Sequence, residues 1–225
     1  MPRLSNLAAQ TLQRQIHEGR YQPGDPLPGQ RELSASLGIS RAALREAIST
    51  LEALGLVHAQ PGKGVYVTAG KQRSANEVPA GPMSMPPQDI FQFRAIVEPA
   101  AAALAARKAD AAGRAALETI QERMEQALHA LDLVTASEAD LDFHLALATY
   151  AANPMLTSVI HSLEEPIGYS LRLPFADPNG IWATADEHRE LLKALHNNDA
   201  AAAHAAMTQH LLRASARIGI TFVTP

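Results

Sequence analysis

The sequence contains no cysteine, so a disulfide framework is excluded, and any metal ion would have to be bound by histidine and carboxylate side chains. Aromatic residues are scarce, at 4% of the chain, whereas alanine forms the uninterrupted runs 100–103 and 200–203. Alanine is the strongest helix former, and strands favour β-branched and aromatic residues. The composition therefore predicts closely packed helices rather than extensive sheets.

Long apolar stretches are missing as well. No segment approaches the roughly 20 apolar residues that a membrane-spanning helix needs. The start of the chain, Met1-Pro2-Arg3-Leu4, lacks the apolar centre of a signal peptide. We therefore expect a cytoplasmic protein without a membrane partner. The 225 residues are enough for two modest domains, each with its own core.

The net charge of −4 hides an uneven distribution of charge along the chain. Residues 1–73 carry nine Lys and Arg against five Asp and Glu, whereas the remaining residues carry ten against eighteen. A basic N-terminal third suits a polyanionic partner, and an acidic remainder does not. Chance clustering of solvated surface charges would give the same imbalance, so the charge alone does not decide between the two interpretations.

The N-terminal part, residues 1–70, has the element order of a winged helix-turn-helix domain. Helical spacing of apolar residues, glycine stops and a glycine-rich turn define its elements. In order, the predicted elements are a helix from Leu4 to Ile16 with a stop at Gly19, a short helix over 30–37, a tight turn over 38–40, a helix over 41–54 with Ser40 as N-cap and Gly55 at its end, and two short strands over 56–60 and 65–67 around the turn 61–64. Three helices followed by a hairpin predict a DNA-binding domain.

The helix that follows the tight turn carries two arginines near its N-terminus. In a helix-turn-helix, the second helix lies in the major groove and its first residues contact bases. Arg41 and Arg45 share one helix face, where an arginine can donate two hydrogen bonds to guanine or to a phosphate. Ser40 is placed to hold a phosphate with the first amides of the helix, Arg31 to reach the backbone or a base edge, and Lys63 to approach the duplex from the glycine-rich turn. Taken singly, these residues would be ordinary solvated side chains, but the order of elements around them favours DNA binding.

Residues 71–87, rich in proline, glycine and serine, are predicted to link this domain to a second domain over residues 88–220. The second domain has helical periodicity and no strand pattern. Its predicted helices cover 88–108 with a bend at Pro99, 111–131, 137–151, 154–173 with a disturbance at Pro166, 184–196 and 199–218. The predicted fold is therefore mainly α, with a winged helix-turn-helix followed by an all-α bundle of about six helices.

One carboxylate and three histidines of the second domain are predicted to meet. Asp140 and His144 are four residues apart on one helix face, about 6 Å apart at Cβ, so that one cation can bind both. His188 and His210 lie on helices joined by a short turn at 197–198. At ~1.5 Å per residue, His188 lies about 12 Å before that turn and His210 about 16 Å after it, which brings the two imidazoles to a similar level. A lone histidine is more often a surface or core residue, and that alternative stays open for each of the three.

The N-terminal domain resembles the GntR-type winged-helix regulators over about residues 4–68. The stretches that carry the resemblance are Leu27-Pro28-Gly29-Gln30-Arg31-Glu32-Leu33, Leu37-Gly38-Ile39-Ser40-Arg41, Leu44-Arg45-Glu46-Ala47, Leu54-Gly55-Leu56-Val57 and Gly62-Lys63-Gly64-Val65-Tyr66-Val67. The resemblance implies that operator DNA is contacted by Arg31, Ser40, Arg41, Arg45 and Gly62. Gly29 and Gln30 depart from the family pattern, which commonly has a small hydroxyl residue and an acidic residue there.

Residues 88–218 are similar to the effector (FCD) domain of the FadR subfamily of these regulators. The matching stretches are Phe93-Arg94-Ala95-Ile96-Val97-Glu98, Asp140-Leu141-Asp142-Phe143-His144 with Asn153-Pro154, Glu187-His188-Arg189 and Met207-Thr208-Gln209-His210-Leu211. The resemblance implies a divalent metal ion bound by Asp140, His144, His188 and His210. Zinc is expected first, with nickel, manganese and iron as alternatives, and coordination positions are left open for water or an anion. It also implies a small organic-acid effector beside the metal, paired with Arg94, although an ion pair between Arg94 and Glu98 explains this arginine equally well.

We therefore expect a homodimeric transcription regulator, joined partly through its N-terminal domains, that binds double-stranded operator DNA and responds to a small carboxylate. Whether it represses or activates stays open. One alternative is a metal-dependent hydrolase built on the helical domain, which would need a general base, for which the sequence offers only chance neighbours of the predicted ligands such as Asp142 and Glu187. Another is a constitutive architectural DNA binder, whose operator affinity would not depend on metal or effector.

Overall fold

The computed structural model describes residues 3–68, 85–177 and 180–223. Its N-terminal domain begins with three helices and ends with a hairpin. These elements are α1 (Leu4–His17), α2 (Gln30–Ser36), α3 (Arg41–Ala53), β1 (Val57–Gln60) and β2 (Gly64–Val67). The two strands are antiparallel, with Val57 opposite Val67 and Gln60 opposite Gly64. The predicted winged helix-turn-helix is confirmed.

Local signals in the sequence explain where α3 begins and ends. The Ser40 hydroxyl accepts a hydrogen bond from the Ala43 amide at 3.1 Å and caps the helix. Beyond the last turn, Gly55 adopts a φ of +70°, a left-handed conformation that costs glycine little. Leu44 and Leu51 are fully buried, so the opposite face of α3 remains available to a partner.

The second domain is entirely helical over the described residues. Its elements are α4 (Pro87–Lys108), α5 (Ala111–His129), α6 (Leu133–Tyr150), α7 (Pro154–Ser162), α8 (Glu164–Arg172), a short 3-10 helix (Leu173–Ala176), α9 (Ala183–His196) and α10 (Ala200–Arg217). Helix α4 packs against α10, and α5 packs against α6. The mainly α fold class is confirmed, and no described helix is both long and apolar enough to cross a bilayer.

Two predicted helices differ clearly from those of the structure. The predicted helix 154–173 divides into α7 and α8, because Pro166 lacks an amide hydrogen and is accommodated in the first turn of a new helix. Helix α6 begins at Leu133 instead of 137, since the Asp132 side chain caps it by accepting from the Thr135 amide. Pro99 lies inside α4, which continues uninterrupted to Lys108.

Most of the predicted linker, residues 71–84, lies outside the described residues, and α4 begins at Pro87. The two domains nevertheless share an apolar core. Buried Ala8 and Leu12 of α1 belong to the same cluster as Val134 and Ala139 of α6. The DNA-binding domain therefore rests directly on the helical domain.

Candidate functional site

Three buried imidazoles meet inside the helical domain. His144 comes from α6, His188 from α9 and His210 from α10, and one ligand atom from each lies within 4.8 Å of the others. The ring centroids are 5.0 to 5.4 Å apart. The structure thus brings together three histidines that are widely separated in sequence.

Asp140 completes this cluster. Its Oδ1 atom lies 3.4 Å from Nε2 of His144 and 3.4 Å from Nε2 of His188. Like the three histidines, Asp140 is almost completely shielded from solvent. Of the four residues predicted as metal ligands, the three histidines meet at one point in the interior, and Asp140 lies beside two of them.

Each imidazole is held from behind through its Nδ1 atom. His144 Nδ1 lies 2.7 Å from Glu98 Oε2, and His210 Nδ1 lies 2.8 Å from Glu187 Oε2. His188 Nδ1 lies 3.1 Å from Gln121 Oε1. When Nδ1–H donates to an acceptor, the lone pair of the ring is on Nε2, the arrangement by which proteins orient histidine ligands toward a metal. No pattern in the sequence predicted this role for Gln121.

The two carboxylates behind the imidazoles are themselves paired with arginines. Arg94 Nε donates to Glu98 Oε1 at 2.8 Å, and Arg217 Nη1 donates to Glu187 Oε1 at 2.8 Å. Burial alone would raise the pKa of Glu98, but the nearby Arg94 and His144 lower it well below its usual range. The pKa of Glu187 is lowered in the same way, against its burial, by His210 and Arg217. Both groups are therefore carboxylates at neutral pH.

The imidazoles differ in their tendency to bind a proton. Burial, with the neighbouring histidines, lowers the pKa of His188 well below its usual value. Burial also lowers the pKa of His210, although its hydrogen bond to Glu187 opposes that change. Burial would also lower the pKa of His144, but the charge of Glu98 and hydrogen bonds to Asp140 and Glu98 together outweigh burial and raise this pKa. His188 and His210 are therefore neutral donors of a lone pair at physiological pH.

The polar atoms at the centre of the cluster lack hydrogen-bond partners. Among the described residues, Asp140 Oδ1, His188 Nε2 and His210 Nε2 are buried and make no hydrogen bond. Such atoms are costly to bury unless something binds them. One carboxylate oxygen and three imidazole nitrogens form a donor set that suits zinc and related divalent ions. The residues present therefore fit a metal ion.

Arg94 makes the predicted ion pair and also borders the cluster. It is fully buried, donates to Glu98 from Nε and Nη2, and donates from Nη1 to Ser170 Oγ at 3.1 Å. Its Nη2 atom lies 3.4 Å from His144 Nε2. The ion-pair alternative is thus observed, and the same guanidinium reaches the place where an effector is predicted.

The residues predicted to contact DNA lie on the surface of the N-terminal domain. Those with exposed side chains are Arg31, Ser40, Arg41, Arg45 and Lys63. Gly62, in the turn between the strands, has a φ of +73° and open space where a Cβ would lie. These residues are therefore accessible to a partner.

The two side chains considered as general bases are already engaged. Asp142 is exposed and forms an ion pair with Arg123. Glu187 is occupied by His210 and Arg217. Neither is free to activate a water molecule at the cluster.

A winged helix-turn-helix on a helical domain with a buried ligand cluster defines the class of DNA-binding regulators. Residues 4–67 match the model of the bacterial regulatory proteins of the gntR family, and residues 89–213 match the FCD domain. The chain belongs to the GntR family, carries an FCD effector domain, and is a transcription regulator rather than an enzyme.

Regulators of known name are similar along nearly the whole chain. The HTH-type transcriptional regulator LutR of Bacillus subtilis is 30% identical over 205 residues, with 87% of this chain and 92% of LutR covered. The Uxu operon regulator of Haemophilus influenzae is 32% identical, with 90% of this chain and 77% of that protein covered. Among solved structures, Streptococcus agalactiae GntR is 27% identical, with a TM-score of 0.50, and the match covers 95% of this chain and 98% of that one.

Proposed function

We propose that this regulator holds a divalent cation, zinc first, through Asp140, His144, His188 and His210, and that a small organic acid beside the cation changes its affinity for operator DNA. The observation that carries the proposal is the convergence of three buried, unpartnered ligand atoms on one point. A bound cation would satisfy all three and act as a Lewis acid toward an acidic ligand.

The charges around the cluster favour an anionic effector. Glu98 is paired with Arg94, and Glu187 is paired with Arg217. A divalent cation with the single carboxylate of Asp140 would therefore leave positive charge in a buried site, where electrostatic attraction is weakly screened. Nη2 of Arg94, which borders His144, would add a hydrogen-bond donor for a carboxylate.

On the DNA side, we propose that two copies of the chain, in the cytoplasm, place α3 in successive major grooves of a pseudo-palindromic operator. Dimeric helix-turn-helix proteins read two half-sites in this way. Arg41 and Arg45 would contact bases or phosphates, while Ser40, Arg31 and the Gly62-Lys63 turn would position the domain on the backbone. An acid bound at the metal would act by favouring one arrangement of the helices over the other.

The metal proposal is tested with His144→Ala and a matched control, His204→Ala, which removes an exposed histidine from α10. After dialysis against zinc, elemental analysis should find about one zinc per chain in the unaltered protein and in the control, but little in His144→Ala. Fluorescence anisotropy with a labelled duplex, selected by the protein from a random pool, should show an operator affinity that depends on acetate, succinate or citrate. Metal content and acid response that survive His144→Ala would contradict the proposal. If the operator affinity of the unaltered protein changes with neither metal nor acids, the constitutive DNA binder is favoured.

The DNA proposal is tested with Arg45→Ala. The control is Arg107→Ala, which removes an exposed arginine from the last turn of α4 in the helical domain. Loss of one bidentate contact should weaken operator binding by about 10- to 100-fold, corresponding to ~1–3 kcal/mol, without lowering the melting temperature. Equal affinities of the two variants would remove Arg45 from the interface.

A further inference from the structure

The DNA-binding domain holds the beginning of α6 through two glutamines of α1. Gln13 Nε2 donates to Asp132 Oδ1 at 2.9 Å, and Gln13 Oε1 accepts from the Val134 amide at 3.2 Å. One turn earlier on α1, Gln10 Nε2 donates to Thr135 Oγ1 at 2.9 Å. Each contact joins one domain to the other.

These bonds complete the cap of α6. The first amides of a helix have no partner within the helix. Asp132 satisfies the Thr135 amide at 3.1 Å, but the neighbouring Val134 amide is satisfied by Gln13, a side chain of the other domain. Val134 and Gln13 are both buried, so water does not replace this bond cheaply. The start of α6 is therefore complete only while α1 lies against it.

The same helix carries two of the proposed metal ligands. Asp140 and His144 follow Val134 by six and ten residues, about 9 Å and 15 Å along an α-helix. No proline or glycine interrupts α6 between them. A shift or tilt of α6 at the metal site is therefore carried to its capped end.

Helix α1 also packs against the recognition helix. Leu12 of α1 and Leu44 and Leu51 of α3 are fully buried in one cluster, which also includes Val134 and Ala136 of α6. Close packing leaves these helices little freedom to move separately. A continuous set of contacts thus runs from the proposed ligands to α3.

We infer that Gln13 and Gln10 are positioning residues that couple occupancy of the metal site to the placement of the recognition helix. The inference rests on the proposed function, because it needs a cation at the site that changes operator affinity. A second route competes with it: Ala53, at the end of α3, lies in one apolar cluster with Tyr169 and Leu173 of the helical domain. The experiment must separate these two routes.

The test compares Gln13→Met with Gln15→Met. Both substitutions lie on α1 and have similar volume, but none of the described hydrogen bonds involves the Gln15 side chain. For each full-length protein, operator affinity is measured by anisotropy with zinc and after removal of zinc by a chelator. Zinc affinity in the absence of DNA is measured by competition with a chromogenic chelator. Gln10→Ala, which leaves the Val134 bond in place, serves as a second variant if Gln13→Met does not fold.

In the unaltered protein and in Gln15→Met, we expect zinc to change the operator dissociation constant by about five-fold or more, the lower end of ordinary allosteric coupling. In Gln13→Met, zinc should change the operator dissociation constant by less than about two-fold, and in Gln10→Ala the change should lie between this value and that of the unaltered protein. The zinc affinity of both variants should stay close to that of the unaltered protein. A merely structural role for Gln13 would lower stability and leave the zinc ratio intact. If zinc changes the operator dissociation constant of Gln13→Met as much as that of the unaltered protein, the inference alone is overturned and coupling is assigned to the route through Ala53. If the unaltered protein responds to neither zinc nor carboxylates, the proposed function is overturned.

Discussion

Gly55→Ala tests the contact between the two domains. Gly55 follows α3 with a φ of +70°, and an added Cβ would lie 2.8 Å from Ala176 Cβ and 3.2 Å from Ala176 Cα. The left-handed backbone costs a non-glycine residue about 1–2 kcal/mol. Overpacking typically adds about 1–3 kcal/mol, and Ala176 has no rotamer by which to move away. The free energy of unfolding should therefore fall by about 2–5 kcal/mol.

Gly38→Ala is a closely matched control. Gly38 ends α2 as Gly55 ends α3, has a φ of +65°, and has nothing within 4 Å of an added Cβ. It should lose only the backbone contribution, about 1–2 kcal/mol. The comparison is made by urea denaturation followed by circular dichroism, and the difference between the two variants measures the contact with Ala176. Equal losses would show that the domains do not dock at Gly55.

Three further predictions concern the metal site and the recognition helix. Free zinc at 100 times its dissociation constant should stabilise the protein by about 2.7 kcal/mol and raise the melting temperature by about 5–10 °C, an effect absent in His188→Ala and retained in His204→Ala. Glu98→Gln, which removes the counter-charge of buried Arg94, should lower the unfolding free energy by about 3–5 kcal/mol and weaken zinc binding about 10- to 100-fold. Zinc affinity is measured by chelator competition, and an unchanged affinity would contradict the role of Glu98 behind His144. Ser40→Ala should cost about 1 kcal/mol in urea denaturation, and no loss would mean that the cap of α3 contributes nothing.

Local signals in the sequence were sufficient for the DNA-binding domain. Gly38 and Gly55 mark helix ends by their conformational freedom, and Ser40 marks a helix start by its hydroxyl. The similar distances of His188 and His210 from the turn between their helices were also predictable, because a short turn makes the two helices antiparallel neighbours. These features depend on residues close in sequence, where spacing determines geometry.

The support behind the imidazoles was not predictable in the same way. Gln121 belongs to α5 and faces His188 of α9 only because of how the two helices are rotated in the bundle. Glu98 offered a partial signal through its spacing from Arg94, but its bond to His144 crosses between helices. The contacts of Gln13 with the start of α6 depend on domain docking, about which neither domain's sequence carries a local signal.

Helix α6 links the ligand cluster to the contact between the two domains. Asp140 Oδ1, His188 Nε2 and His210 Nε2 are buried without hydrogen-bond partners, which is unfavourable unless a ligand binds them. A movement of the helices that carry these atoms would open the cluster. Because α6 is capped by Gln13 of α1, such a movement would also disturb the contact with the DNA-binding domain. We therefore expect a closed ligand cluster and an intact contact between α1 and α6 to belong to the same conformational state, so that a ligand that stabilises the first also stabilises the second.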